Sequence, residues 1–505
     1  MKAYGNTRNL PPRAGAMVEA LRGLGYSVEA ALADIVDNSI AAEATEVRVD
    51  FSWAGESSRI SILDDGFGMT DGELERAMQL GAKSPLDARD PSDLGRFGMG
   101  LKTASFSHCR SLTVATIKAR CEACLRWDLD ALEENSENGW ILFEGSKPGS
   151  EPFLNPLKEQ ASGTMVIWEG LDRIVTPNYT SADFSDLIDR VNAHLAMVFH
   201  RLLEGPKPRL RILLNGQAVL PWDPFMSGHP AKPWASPVAK TSTSAGPVEV
   251  QCHVLPHKDR LSQREFDEAA GPNGWTAQQG FYVYRNSRLL VAGGWLGLGQ
   301  VRKWNREESH RLARIRLDIT NTADAEWKID IRKSTARPPV SLRTWLTNFA
   351  EDTRNRARRV FAYRGAPAPR LGSEPIEQAW RANHGKSGIR YQIDERHPAV
   401  GAVLETAGQY LPLVKAMLRV IEETVPVQRI WLDTAENKET PQTSFAGEPT
   451  SEVVEFLNIF FKDMVNRRRM SVEAAKRQLL ITEPFQNFPE LIASLPDDAS
   501  FSSRK

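Results

Sequence analysis

The hydrophobic positions of the first 180 residues follow a helical pattern and then an alternating one. Residues 28–40 are largely apolar at helical spacing, and Ser27 stands where an N-cap is expected. In EVRVDFSW (46–53) apolar and polar positions alternate, which predicts a strand. Further strand patterns are RISILDD, LTVATI, LRWDLD, WILFEG and TMVIWEG. We therefore expect helices packed on a sheet.

The rest of the chain divides into two further regions. Helical spacing covers residues 184–202, and strand patterns follow in RLRILLNG, VEVQCHVL, GFYVYRNSRLLV and RIRLDIT. The stretch 227–247 is rich in Pro, Ser, Thr and Ala and is expected to be a loop or insertion. A linker-like segment, 365–375, precedes mostly helical patterns. These patterns predict domains at 1–180, 181–362 and 363–505.

Composition excludes several classes of protein. The chain has 505 residues with 63 Lys plus Arg against 64 Asp plus Glu, so any nucleic-acid surface must be a local patch. No apolar run approaches the length of a membrane span, and no signal peptide is evident, so we expect a cytoplasmic protein without membrane contact. Four cysteines do not make a disulfide framework.

Cys121 and Cys124 have the spacing of half a zinc site, but the sequence has no second pair, so we do not expect a zinc site.

A carboxylate and a carboxamide lie one helical turn apart in the first apolar helix. Asp34 and Asn38 are four residues apart and therefore project from one face. The amide oxygen is a suitable magnesium ligand, and the carboxylate can orient and deprotonate a water. A solvated helix face is the alternative, but apolar neighbours indicate a packed helix in which a polar pair needs a partner. Asp37 has the same charge as Asp34, but we expect it to face elsewhere.

Two glycine-rich segments and a threonine follow. In DDGFGM (64–69), Asp64 ends a strand and can accept a hydrogen bond from the exocyclic amine of adenine, while the glycines let backbone approach the base. GRFGMGLKT (95–103) opens a helix, where free N–H groups can bind phosphates. It is not a Walker A loop, because Leu101 separates the glycine from the lysine. Thr164 begins a strand and can hydrogen-bond Asp64 or a bridging water.

In their order and spacing, these elements resemble the nucleotide-binding motifs of GHKL ATPases, the class of gyrase B, the MutL mismatch-repair proteins and the MORC ATPases. The resemblance implies ATP and Mg²⁺, with Asn38 as the magnesium ligand, Asp64 as the residue that reads adenine, and Asp34 as the general base. Lys83 and Lys102 are weaker phosphate candidates, for which a solvated lysine is the alternative. The predicted nucleotide-binding residues are Asn38, Asp64, Gly66, Gly68, Met69, Lys83, Gly95, Arg96, Phe97, Gly98, Met99, Gly100, Leu101, Lys102 and Thr164.

Later stretches narrow the resemblance to MutL and MORC-like ATPases. NSIAAEAT and GFYVYRNSRLLVAGGWLGLG resemble these families, and KIDIRKSTARPP lies where their second domain delivers a basic residue to the γ-phosphate. Lys333 is the candidate there, ahead of Arg332 and Lys328, and an exposed loop lysine is the alternative. The family's general base is usually glutamate, whereas Asp34 is shorter by roughly 1.5 Å. Either the helix lies closer to the γ-phosphate, hydrolysis is slow, or nucleotide binding alone is the output.

The resemblance covers roughly residues 10–345. It implies an α+β fold with a two-layer α/β sandwich of the Bergerat type, a β-α-β transducer domain and a helical C-terminal region. It also implies an ATP-dependent homodimer that acts as a clamp or switch on duplex DNA, with partner proteins in bacterial restriction or anti-phage defence. The alternatives are an ATP-gated protein scaffold with negligible turnover and a chaperone-like protein.

Basic residues cluster at 285–316, 354–364 and 467–469. Solvated faces explain such clusters in many proteins, but in a chain of this resemblance a path for the DNA backbone is a serious rival.

Overall fold

A computed structural model gives the fold for residues 13–23, 25–82, 100–134, 139–324, 326–330, 333, 335–362, 377–385, 388–428, 430, 449 and 451–496. The chain forms two compact units. The first combines Met1–Pro256 with Glu265–Arg359, and the second combines His257–Arg264 with Val360–Lys505.

The first unit contains an eight-stranded sheet with the strand order β5-β4-β3-β6-β2-β1-β7-β8. Neighbouring strands are antiparallel except β1 and β7, which are parallel. Its strands are β1 (Glu46–Ser52), β2 (Arg59–Asp64), β3 (Ser111–Lys118), β4 (Cys121–Asp128), β5 (Phe143–Glu144), β6 (Gly163–Glu169), β7 (Arg211–Leu214) and β8 (Gln217–Ala218).

Helices cover this sheet, and most of them share one apolar core with it. Leu157, in the short helix at 155–158, instead packs in a separate cluster with Met165 and Ile167. They are α1 (Ala14–Arg22), α2 (Val28–Ala41), α3 (Asp71–Met78), α4 (Gly100–Phe106), α5 (Leu129–Glu134), α6 (Asn155–Lys158), α7 (Ser181–Val198) and α8 (His200–Leu203). Helix α2 lies against α4 and α7, and its side chains Leu32, Ile35 and Val36 are buried. The Ser27 hydroxyl accepts a hydrogen bond from the Ala30 N–H, which confirms the predicted N-cap.

The first sheet continues past residue 180. Strand β7 belongs to the segment RLRILLNG, which we placed at the start of the second strand-rich region, but it pairs in parallel with β1, with Glu46 opposite Arg211. The connection through α7 brings the chain back along β1, whose free edge supplies the hydrogen-bond partners that a four-residue strand needs. An apolar pattern predicts a strand but does not predict which sheet it joins.

A second sheet in the same unit has the order β10-β11-β14-β12-β13, with β9 paired to β11. Its strands are β9 (Trp234–Ala235), β10 (Ala239–Thr243), β11 (Gly246–Val254), β12 (Gly280–Arg285), β13 (Arg288–Ala292) and β14 (Ala313–Ile319), and the helices beside it are α9 (Gln263–Ala270), α10 (Gly274–Ala277) and α11 (Val340–Ala362). The stretch 227–247, predicted as a loop, therefore contains β9 and β10. Asn286 and Ser287, at φ of 48° and 67°, form the two-residue turn between β12 and β13.

The second unit is mainly helical, as predicted, and has its own apolar core around Leu457, Phe461 and Leu479. Its helices are α12 (Pro398–Thr406), α13 (Leu411–Thr424), α14 (Ser451–Lys462), α15 (Val472–Leu480) and α16 (Pro489–Ala493). A hairpin of β15 (Trp380–Gly385) and β16 (Gly388–Ile393) was not predicted. Within the described ranges, no helix has the length and apolar character needed to cross a membrane.

Candidate functional site

Helix α2 carries three polar side chains of the candidate site. Asp34 and Asp37 are buried at 5% and 2% exposure, whereas Asn38 is exposed. An exposed amide oxygen is a ligand of the type that hard cations accept in proteins. The helix thus presents one neutral ligand to solvent and keeps two carboxylates inside.

The Asp64 carboxylate at the end of β2 is held by neutral donors. Its Oδ2 accepts from the Ser39 hydroxyl at 2.8 Å, and its Oδ1 accepts from the N–H groups of Gly66 at 3.0 Å and Thr164 at 3.2 Å. Burial raises the pKa of Asp64 above its ordinary value, although these three donors oppose the shift. The predicted partner Thr164 therefore contacts Asp64 through its backbone.

The glycines beside Asp64 occupy positions where a side chain does not fit. Gly68 has φ of +66°, and a Cβ there would lie 2.0 Å from the Ile117 carbonyl oxygen. A Cβ on Gly66 would lie 2.8 Å from that of Ala42. The Met69 N–H donates to the Thr116 hydroxyl at 2.8 Å. The DDGFGM turn is thereby fixed against β3 with its backbone close to the candidate base site.

Of the other predicted phosphate-binding residues, the structure describes Gly100, Leu101 and Lys102, which lie in α4. Lys83, Gly95, Arg96, Phe97, Gly98 and Met99 lie outside the described residues. Gly100 begins α4, and a Cβ placed on it would come within 3.9 Å of Asp34 Oδ2. Leu101, the next residue of α4, packs partly buried against the first core. The N-terminal end of α4 therefore lies next to the Asp34 carboxylate.

Lys102 is buried, at 3% exposure, and points away from solvent. Its Nζ donates to the carbonyl oxygens of Ala77 at 2.7 Å and Gln79 at 3.0 Å, at the C-terminal end of α3. Burial lowers the pKa of Lys102 to about 8. The side chain connects α4 to α3, and its predicted phosphate contact stays a prediction.

Four charged side chains meet beside the N-terminal end of α4, two from α2 and two from the region of the second sheet. Lys333 Nζ lies 3.0 Å from Asp34 Oδ1 and 2.5 Å from Asp37 Oδ2. Arg288 Nε lies 3.2 and 3.1 Å from the two Asp37 oxygens, and its Nη2 lies 3.6 Å from Asp34 Oδ1. We call Asp34, Asp37, Arg288 and Lys333 the charge cluster.

The charge cluster is closed to solvent and electrically balanced. The four side chains are exposed by 4%, 3%, 4% and 12% in that order. Burial works to raise the pKa of Asp37, but the charges of Arg288 and Lys333 outweigh it and lower that pKa. Tyr26, also buried, donates its hydroxyl to Asp34 Oδ2 at 3.1 Å. Both Asp34 oxygens therefore have a partner.

Three of these residues were missed or misjudged in the sequence. Asp37 was expected to face away from Asp34, but a separation of three residues leaves only ~60° between side chains on a helix, so both reach the same lysine. Arg288 lies in β13, 251 positions after Asp37, and no spacing rule connects them. Tyr26 precedes the helix as part of its turn. A search for acidic residues at both i+3 and i+4 from Asp34 could have found Asp37.

The basic clusters proposed for DNA are partly internal. Arg285, Arg288, Arg311, Arg314 and Arg354 are all buried, at 8% exposure or less. They cannot line a surface path. Among the described residues of these two clusters, the exposed basic ones are Arg302, Lys303, Arg306, Arg356, Arg358 and Arg359.

The two described cysteines with zinc-like spacing lie on one strand. Cys121 and Cys124 are both in β4, where side chains three positions apart point to opposite faces. Among the described residues no group of three or more His, Cys, Asp or Glu side chains could hold a metal ion. The side chains of Cys121 and Cys124 thus point away from each other across the sheet.

Residues 26–164 match the family described as "Histidine kinase-, DNA gyrase B-, and HSP90-like ATPase". This segment runs from Tyr26 through α2 to Thr164 and carries Asp34, Asn38 and Asp64 on the elements described above. The segment is an ATP-binding domain of the GHKL ATPase superfamily, as its motifs indicate. The predicted mixed fold with a helical C-terminal region is confirmed.

The chain is also similar to a MORC protein. ATPase morc-1 of Caenorhabditis elegans is 27% identical over 231 residues, a match that covers 38% of this chain and 27% of that protein. The match thus spans less than a third of the relative. Two solved structures of the ATPase region of Saccharomyces cerevisiae topoisomerase II, one bound to ICRF-187 (dexrazoxane), each match at 12% identity and a TM-score of 0.36, covering 66% of this chain and 85% of that chain.

Proposed function

We propose that the protein is a magnesium-dependent ATP hydrolase in which the γ-phosphate is sensed by the second sheet region. The observation that carries this proposal is the contact of Lys333 with Asp34, residues 299 positions apart that meet beside the start of α4. A buried acid next to a phosphate-binding helix end, with a cation delivered from another region, has the components needed to activate a water and stabilise the charge that develops on phosphate.

Each site residue has a distinct role in this proposal. Asn38 would hold Mg²⁺ through its exposed amide oxygen, and the ion would supply neutralisation of phosphate charge. Asp64 would accept a hydrogen bond from adenine, with its carboxylate already oriented by Ser39 and Gly66. Asp34 would take the proton of the attacking water, and Tyr26 would keep its carboxylate oriented.

Lys333 couples the nucleotide to the rest of the first unit. Its ammonium neutralises Asp34 and Asp37 in the arrangement described. A γ-phosphate beside Asp34 would attract the same ammonium, and transfer of Lys333 would shift the loop that precedes α11. We propose that this movement closes an ATP-dependent homodimer and makes it a clamp.

The proposed ligand of the clamp is duplex DNA, bound through phosphates. Support comes from the adjacency of two exposed basic segments, the loop at 302–306 and the helix α11. Gln300 hydrogen-bonds Glu351, and the Arg354 guanidinium lies 4.7 Å from the Trp304 ring, so the loop runs along this helix. We call the exposed cations of these two segments the basic edge, which comprises Arg302, Lys303, Arg306, Arg356, Arg358 and Arg359.

Turnover of ATP tests the enzymatic part of the proposal. We expect magnesium-dependent phosphate release by the wild type and a loss of about 10²–10⁴-fold in Asp34→Asn, because a general base contributes rates of that order. ATP affinity, measured by calorimetry, should stay near the wild-type value. Tight ATP binding with no turnover in the wild type would instead support a nucleotide-gated scaffold.

Salt dependence tests the DNA part. Binding should fall as salt rises, and the double charge reversal Arg356→Glu/Arg359→Glu should lower affinity and flatten the slope by about 0.9 for each DNA phosphate that the protein no longer neutralises. The matched control is Lys207→Glu/Arg209→Glu, which makes the same charge change in the exposed loop after α8. Equal losses of affinity in both variants, or salt-insensitive binding, would contradict a DNA path on the basic edge.

We also propose a role in anti-phage defence with partner proteins, which rests only on the resemblance of the sequence motifs to MutL and MORC-like ATPases. Phage plating on cells with the wild type or Asp34→Asn tests it. We expect protection by the wild type alone, and equal plating on both strains would remove this role.

A further inference from the structure

Arg288 occupies an unusual position for an arginine beside an ATP site. It is the first residue of β13, immediately after the Asn286–Ser287 turn, and its side chain is 4% exposed. Its Nε contacts both oxygens of Asp37 at 3.2 and 3.1 Å, and its Nη1 donates to the Leu289 carbonyl at 2.8 Å. The guanidinium is thereby fixed to its own strand and to α2.

A buried ion pair is weak evidence that the pair stabilises the fold. Removing two charges from water costs more than their attraction returns unless other contacts compensate, and apolar side chains can often fill the same space. Asp37 has a second partner, because the same carboxylate accepts from Lys333 at 2.5 Å. Arg288 therefore contacts the same carboxylate, Asp37, that contacts Lys333, the cation proposed to move to the γ-phosphate.

The contact of Arg288 with Asp37 sets how tightly the charge cluster holds Lys333. With Arg288 present, two carboxylates face two cations in the charge cluster. Without Arg288, the Lys333 ammonium alone would compensate two buried carboxylates, and the low dielectric of the site would strengthen that hold. Lys333 would then transfer less readily to a γ-phosphate.

We infer that Arg288 is a positioning residue for ATP hydrolysis, which neutralises Asp37 and so keeps Lys333 transferable to the γ-phosphate. The inference rests on the proposed function for the transfer itself. It assigns Arg288 no contact with ATP. Its effect reaches the reaction only through Asp37 and Lys333.

Acetylation of Lys333 tests the inference without turnover. Nucleotide-free protein is treated with acetic anhydride, and modification of Lys333 is followed by peptide mass spectrometry. We expect slower modification in Arg288→Gln, because the ammonium is held more tightly, and faster modification in Asp37→Asn, because one acceptor is removed. A merely structural pair would loosen the site in both variants, so faster modification in both would overturn the inference.

Kinetics supply the second readout. At saturating ATP we expect kcat to fall about tenfold in Arg288→Gln, a size usual for coupling between neighbouring charges, with KM little changed. Arg288→Lys keeps the charge and should recover most of kcat. In a Lys333→Ala background the Arg288→Gln change should have no further effect, since its intermediary is gone. A full additional loss there would also overturn the inference.

The matched control is Arg201→Gln. Arg201 in α8 pairs with Asp318 in β14 at 2.5 Å, so it also joins a helix of the first sheet to the second sheet, but it does not contact the charge cluster. It should lower the melting temperature without changing kcat or Lys333 acetylation. If Arg288→Gln alone fails to fold, the pair Asp37→Asn/Arg288→Gln should acetylate Lys333 at the rate of Asp37→Asn alone, because Arg288 acts only through Asp37. Slower acetylation in the pair than in Asp37→Asn would contradict the inference. A wild type without turnover but with the expected acetylation pattern would instead remove only the proposed function.

Discussion

The two carboxylate sites of the ATP-binding domain are built in opposite ways. Asp64 is surrounded by neutral donors from α2, from the turn after β2 and from β6, and burial raises its pKa. Asp37 lies in the charge cluster, where Arg288 and Lys333 lower its pKa against the effect of burial. The first arrangement is complete within residues 26–164, whereas the second needs residues from the second sheet region.

This difference suggests separate roles: Asp64 for recognition of the nucleotide base, and the charge cluster for coupling nucleotide binding to the second sheet region. A carboxylate oriented by backbone N–H groups has one fixed geometry, which suits discrimination between bases. An ion cluster has partners that can be exchanged, because a phosphate competes for the same cations. Asp64 should therefore control which nucleotide binds, and the charge cluster should control what binding causes.

We expect the largest loss of turnover from removing the Lys333 ammonium. Lys333→Ala should lower turnover by about 10²–10³-fold, since it removes one donor to the developing phosphate charge, while ATP affinity changes little. Phosphate release under saturating ATP measures it. Lys328→Ala is the control, because Lys328 is an exposed lysine of the same loop. Equal losses of turnover in the two variants would show that general loop charge, and not the contact with Asp34, matters.

Asp64→Ala should affect nucleotide recognition rather than turnover. We expect ATP affinity to fall about 10–100-fold, the range for loss of a hydrogen bond to a charged group, and the preference for ATP over GTP to disappear. Competition binding measures both. Retained preference for ATP would place adenine recognition elsewhere, and the neighbouring Asp65→Ala, an exposed carboxylate, should keep it.

Asp34→Glu restores the usual family residue in a site built for a shorter acid. Both Asp34 oxygens already have partners, Tyr26 and Lys333. The added methylene should displace the carboxylate and slow turnover by roughly tenfold or more, since misplacement by about 1 Å can cost up to ~100-fold. Faster turnover would show instead that the aspartate limits the enzyme.

Acid should weaken base recognition modestly before it disturbs the charge cluster. The raised pKa of Asp64 means that falling pH protonates it earlier than an ordinary carboxyl, whereas the lowered pKa of Asp37 keeps that group ionised to lower pH. For stability the signs are also opposite: ionised Asp64 is a cost that falls as pH falls, and the contribution of Asp37 is lost as pH falls through its lowered pKa. The ratio of ADP to GDP affinity, in which phosphate titration cancels, should decline as pH falls from 7 to 5. A constant ratio would contradict the role of Asp64.

Local sequence patterns predicted the Asp64 site but not the charge cluster. The bounds of α2, its Ser27 cap and the position of Asp64 beside Thr164 follow from periodicity and motif order, because all these contacts lie on neighbouring elements. Arg288 could not be predicted, since its partner depends on how two sheets pack. The arginines of the basic clusters show the same limit, because sequence spacing did not indicate that Arg314 is fully buried.

The parallel pairing of β7 with β1 matters for any attempt to produce the ATP-binding domain alone. A fragment that stops at residue 180 would lack α7, whose side chains Phe184, Leu187 and Val191 belong to the first core, and would leave β1 as an open sheet edge. Such an edge is a template for intermolecular strand pairing and aggregation. A fragment that extends through β8 keeps the edge occupied and the core filled, and it is the smallest piece expected to stay monomeric during purification.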